Sequence, residues 1–276
     1  MSGAALSTAR RPRPGRLRRA LARTGHGALA RARFGLALFS LAFGVLREAA
    51  RPASWRRTVR AQFRRELRQA VGGGLSPTAV TAVLIGLTMV SQTLYWLGEA
   101  GQAEIIGTVL VTVMVREVAP LLVGFILLGR SGIVAVAEIA TLRLGGQVDA
   151  LAAQGLDPFL LLVLPRACAL AVAAFTLAMV FVPAALITGF VAGSLLGAVA
   201  TPFWAFLDGV LLAMHATDFI AFPAKMLAMG LLVALTACLT GLEAGARDDA
   251  GRVLPRGFIR GTLAILLVSI ASSFAA

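Results

Sequence analysis

The chain has 276 residues, 58% of them hydrophobic and 14% charged, with mean hydropathy +0.86, which lies outside the range of soluble globular domains. Its net charge of +13 is lopsided: residues 1–70 hold seventeen arginines against only Glu48 and Glu66, and the remainder is slightly acidic. The basic excess therefore belongs to an N-terminal arm beside a membrane domain, which excludes a nucleic-acid-binding fold, and two cysteines in apolar runs, Cys168 and Cys238, exclude a disulfide framework.

Residues 1–30 are rich in arginine and free of acid, and they read as a disordered cytosolic tail; a transit peptide is the alternative. A signal peptide does not fit, because the apolar run Phe34–Leu46 starts far from Met1 and has no small-residue cleavage site before the next arginine cluster. That run is too short to cross a bilayer and predicts a helix lying in the interface. Beyond Pro52, Trp55, Val59, Phe63 and Leu67 recur every four residues, with Arg56, Arg57, Arg60, Arg64, Arg65 and Arg68 between them. This spacing predicts a basic amphipathic helix on the cytoplasmic surface. Residues 31–70 thus form interfacial helices and 71–276 the membrane domain, with Gly72-Gly73-Gly74 and Pro77 predicting a turn into the first span.

Five apolar segments follow, at roughly 78–97, 105–128, 167–197, 219–240 and 257–275. The third is long enough to be tilted, broken near Pro183, or partly re-entrant. The arm is basic, and the connections 129–166 (Arg130, Arg143, Arg166) and 241–256 (Arg247, Arg252, Arg256) carry arginine. The alternate connections, 98–104 and 198–218, carry only Glu99, Glu104, Asp208 and Asp218. The excess of arginine on one side puts the N-terminus in the cytoplasm and the C-terminus outside. The class expected is an all-α polytopic membrane protein.

Charge within the spans is costly and marks function by default. Arg116 and Glu117 interrupt the second span one turn before Pro120, and Lys225, the chain's single lysine, lies in the fourth after Pro223. Two readings stand side by side: polar groups lining a substrate path, or a neutralised pair such as Glu117 with Lys225 packed between helices. Snorkelling to the outer surface is a further account of Lys225. Gly189, Gly193 and Gly197 share one face of the third span and predict close helix packing. Asp208, His215 and Asp218 read as solvated loop residues rather than a metal site. No phosphate-binding loop is present, since it needs Gly-x-x-x-x-Gly-Lys-Ser/Thr and the lone lysine sits in Phe-Pro-Ala-Lys-Met. An ATP-driven process would then need a separate ATPase polypeptide.

Between Arg116 and Arg166 the chain shows Arg116-Glu117-Val118-Ala119-Pro120, Gly129-Arg130-Ser131-Gly132, Ala137-Glu138-Ile139 followed by Arg143, the acidic-apolar stretch Gln147–Leu151, Gly155-Leu156-Asp157-Pro158 and Pro165-Arg166. These six ordered pieces closely resemble the MlaE/YrbE permease family, the membrane subunits of Mce-linked ABC lipid transporters. The interfacial helix, the span count and Lys225 fit more weakly, and residues 1–30 take no part. The family often carries an acidic residue in the last span where this chain offers Ser269. The resemblance implies a homodimer in the bacterial inner membrane that moves phospholipids or related lipids to or from an Mce-type binding protein outside. An organelle inner membrane is the lesser alternative. ATP and magnesium would be bound by a partner ATPase, leaving this chain no cofactor of its own. It further implies a substrate path at Glu117, Arg116 and Lys225. ATPase coupling would fall to a cytosolic helix between spans two and three, carried by Glu138, Arg143, Asp149, Gly155, Asp157 and Pro158. The competing function is an ion-coupled secondary transporter using Glu117, though no inverted repeat is evident. An intramembrane enzyme lacks a converging nucleophile and base.

Overall fold

The computed structural model describes residues 16–102, 105–197, 202–245, 248 and 250–275, and within them the chain forms helices and short connections without a strand. Chain contacts divide the molecule at Leu41. On the N-terminal side a helix begins at Arg16 and runs to Ala49, so residues 16–30 are helical in place of the expected tail. The Ala, Leu and Arg content of that stretch favours a helix on propensity alone. Leu36 and Phe39 stand exposed on it. Residues 1–15 of the expected tail lie outside the described residues, as do Glu104 and Arg247 of the orientation argument.

In residues 42–276, a short helical turn spans Pro52–Ser54. Ser54 Oγ donates to Glu48 Oε2 at 2.5 Å, Arg51 Nη1 to Glu48 Oε1 at 2.8 Å, and Trp55 Nε1 to the Ala49 carbonyl at 2.9 Å. The Ser54 hydrogen bond, with Arg51 and Arg47 nearby, holds the Glu48 carboxyl below its ordinary range.

Among the described residues, five helices are long and apolar enough to cross a membrane: span one, Arg57–Glu99; span two, Ile106–Leu144; span three, Phe159–Leu195; span four, Asp218–Leu242; and span five, Gly251–Phe274. All five expected segments are present, and several run past their apolar limits. The turn predicted at Gly72–Pro77 does not occur. Helix Arg57–Ile85 continues through it, and the basic amphipathic stretch is a polar extension of span one. The glycines serve contact instead: a Cβ on Gly73 would lie 2.3 Å from Arg130 Nε, and one on Gly74 would lie 2.7 Å from Leu177 Cδ1. Pro77 removes one helical hydrogen bond, a loss that packed membrane helices tolerate.

Span three is likewise continuous at Pro183. Its 37 residues reach ~55 Å at ~1.5 Å per residue, well beyond a hydrocarbon core of ~30 Å. It forms the centre of the bundle, packing against spans one and four, while span four also packs on span five and the Ile133–Leu144 part of span two. Close approach makes these seams: a Cβ on Gly189 would lie 2.3 Å from Val90 Cβ, and one on Gly230 would lie 2.3 Å from the Leu170 carbonyl oxygen. Gly197 instead ends span three with φ +71°. The most apolar stretches of spans one and five are 28% buried, against 44–50% for the other three, so the flanking spans keep broad apolar faces uncovered.

Candidate functional site

Span two widens into a π-helical stretch, Leu110–Val118, immediately before Pro120. Such stretches recur at functional sites because they displace side chains from helical register. Pro120 has no N–H to give the Arg116 carbonyl four residues earlier. Lys225 of span four takes that carbonyl, its Nζ donating at 2.6 Å. The same ammonium lies 3.3 Å from Glu117 Oε1. Span five completes the group: Ser269 Oγ donates to Glu117 Oε2 at 2.8 Å and Ser273 Oγ to Glu117 Oε1 at 2.6 Å. Arg116 reaches the start of span four, where its Nη2 donates to Asp218 Oδ2 at 2.8 Å, and the His215 backbone N–H donates to the same oxygen at 2.9 Å.

The three residues expected on a substrate path, Arg116, Glu117 and Lys225, therefore form one cluster. Lys225 does not snorkel; its side chain is 6% exposed and turned inward, whereas the Glu117 side chain is 38% exposed. At ~1.5 Å per residue, Glu117 sits ~16 Å along span two from Ile106 and Lys225 ~10 Å along span four from Asp218. The ion pair is thus at intramembrane depth. Asp218 corrects the reading of a solvated loop residue: its side chain is 6% exposed and pairs with Arg116. His215 is exposed as expected, and Asp208 is exposed too but on the helix Phe203–Ala213, not in a loop. Ser269, which in the sequence only stands where relatives carry an acid, and Ser273, which sequence reasoning misses, both hydrogen-bond the carboxylate. Their spacing of four inside an apolar helix is the signal that could have found them.

A second charged group ties three elements at the arginine-rich end. Arg166, buried at the start of span three, donates to Glu66 Oε1 on span one at 2.7 Å and also to Glu138 Oε2 on span two. Its Nε and Nη1 find no protein partner. Beside it, Glu66, Gln69, Arg130, Ser131 and Glu138 share with apolar neighbours the lining of a cavity of about 240 Å³.

The connection between spans two and three contains the expected helix, Gln147–Ala153. Gly146 precedes it with φ +70° and Gly155 follows it with φ +73°, a backbone region open to glycine. Arg143 Nη1 bridges to Asp149 Oδ1 at 2.5 Å. Asp157 Oδ1 accepts the Phe159 N–H at 2.9 Å, and Pro158 leads into span three. Of the six residues expected in coupling, five lie at this connection. Glu138 is apart from them, held by Arg166.

The family described as Permease MlaE matches residues 63–275. A probable ABC transporter permease protein of Rickettsia prowazekii is 29% identical over 196 residues, 70% of this chain and 74% of the relative. A protein of the same description from Synechocystis sp. is 32% identical, covering 68% of this chain and 71% of its own. Another, from Porphyra purpurea, is 30% identical over 62% of this chain and 64% of its own.

Proposed function

This chain belongs to the MlaE permease family and is the multi-pass membrane subunit of an ABC transporter; from that premise we propose that it moves phospholipids or related lipids between the bacterial inner membrane and an Mce-type binding protein outside. The ABC relatives imply a partner ATPase, which also sets the ion-coupled alternative aside. A nucleotide site on this chain finds no candidate lysine, since Lys225 is engaged by Glu117 and the Arg116 carbonyl inside the bundle.

The observation that carries the lipid reading is the Glu117 cluster, a half-open carboxylate at intramembrane depth between apolar helices. A lipid head group needs polar partners along its route, and its chains need apolar walls. The path runs between two copies of the chain, whose uncovered span-one and span-five faces supply the interface. The arginine-rich ends face the cytoplasm, where the Gln147–Ala153 connection receives the ATPase stroke.

Reconstitution with the ATPase and the Mce-type protein tests this proposal. ATP-dependent transfer of fluorescent phospholipid is expected with the unmodified chain and strongly reduced with Glu117→Gln. Equal transfer by the two chains would remove Glu117 from the path.

A further inference from the structure

Beside Val115 of span two lies a cavity of about 470 Å³ with wholly apolar walls. Val115, Met179, Pro183, Phe206, Val210 and Phe222 line it, drawn from spans two, three and four and from the short apolar helix Phe203–Ala213. Helix Phe203–Ala213 buries Phe206 and Val210 on its inner face, while Trp204 and Leu212 on its outer face are exposed.

Such a space offers water no hydrogen-bond partner, so it stays dry. An unfilled cavity of this kind is also destabilising. At membrane depth the abundant molecule that fits an apolar slot is hydrocarbon. A polar cluster neighbours the slot without lining it: Val115 adjoins Arg116, Met214 in the wall adjoins His215, and Phe222 lies one turn beyond Asp218. Arg116 Nη2 is 3.5 Å from His215 Nδ1, the Arg116 Nε has no protein partner, and the His215 ring is 75% exposed. Asp218 is already taken up by Arg116 and the His215 amide. Apolar walls with an arginine–histidine pair adjoining them match an amphiphile with a hydrocarbon chain and an anionic head.

We propose that this cavity binds one acyl chain of a phospholipid, with the phosphate at the adjoining Arg116–His215 pair. It is a second lipid site beside the Glu117 cluster. Its role in transport rests on the lipid reading above, whereas its occupancy does not.

The test uses the full chain in nanodiscs of phosphatidylethanolamine and phosphatidylglycerol, doped with a phospholipid carrying a diazirine along one acyl chain. Irradiation and peptide mapping should place adducts on Met179, Phe206 and Val210. Filling the slot with Val210→Trp, or with Leu207→Trp should the first variant not fold, should lower the cavity adducts about tenfold and leave those on exposed Leu212 unchanged. His215→Ala should lower the cavity adducts less. Glu117→Gln should leave them intact, so that loss of transport there and loss of occupancy here are read separately. Cavity labelling no stronger than that of Trp204 and Leu212, or labelling indifferent to the tryptophan, would overturn the site. Cross-links from the cavity walls to a partner helix in place of lipid would overturn it too.

Discussion

Glu117 and Lys225 illustrate how a proline relocates a charge. Pro120 leaves the Arg116 carbonyl without its helical donor, and an ammonium at Lys225 supplies one while pairing with the neighbouring carboxylate. Removing one member of a buried pair costs ~3–5 kcal/mol, and the partial exposure of Glu117 reduces this toward ~2 kcal/mol for Glu117→Ala. Glu117→Gln keeps an acceptor for one of the two serine hydroxyls and presents an amide N–H2 to the other, so it should cost less, and thermal unfolding in detergent should rank the alanine variant below the glutamine. The reverse order would mean that the serines contribute little. Arg166 makes the sharper case. Arg166→Met abandons Glu66 and Glu138 together and should lower stability by ~3 kcal/mol. Lysine, with a point charge in place of a planar fork, should restore it only in part. The chemical types at these positions are readable in the sequence, but the partners are not. Glu66 lies 100 residues from Arg166 and Ser269 lies 152 from Glu117, and such pairings exist only once helices are docked.

Helices divide into those the sequence delimits well and those it misplaces at their ends. Hydropathy finds all five spans because apolar length is the physical requirement itself. It stops short at the arginine-rich ends because polar extensions of a membrane helix leave no hydropathy signal. The Gly72–Pro77 stretch misleads for a related reason. Glycine marks both turns and close helix contacts, and only the neighbours decide which. A Cβ added at Gly72 would meet open space, whereas one at Gly189 would meet Val90 and the Gly86 carbonyl. Gly72→Ala should therefore be neutral or stabilising by ~0.5–1 kcal/mol. Gly189→Leu should part spans one and three at a cost of ~1–3 kcal/mol or more. Expression yield and melting temperature of the two variants check the contrast; equal effects would contradict the seam. At the connector, Asp149→Arg breaks the bridge to Arg143. With the ATPase present, it should weaken assembly or separate ATP hydrolysis from lipid movement while membrane insertion stays normal. Unchanged assembly and transport would detach this helix from the stroke.

Residues 42–276 form a bundle organised around span three, with charge between the spans gathered at a few joints and the two flanking spans left largely uncovered. That arrangement suits the pairing of two copies and the outside energy supply proposed above. The purified chain alone should hydrolyse no ATP and should gain activity only on adding the ATPase; hydrolysis that survives removal of trace partners would contradict this. What Glu117 faces in a membrane decides between a lipid path and a packing joint. A photoreactive amino acid at position 117, irradiated in the assembled transporter, gives the most direct answer. Phospholipid adducts identified by mass spectrometry are the predicted result. Adducts confined to neighbouring protein helices would show that the cluster is a packing joint and contradict the lipid path.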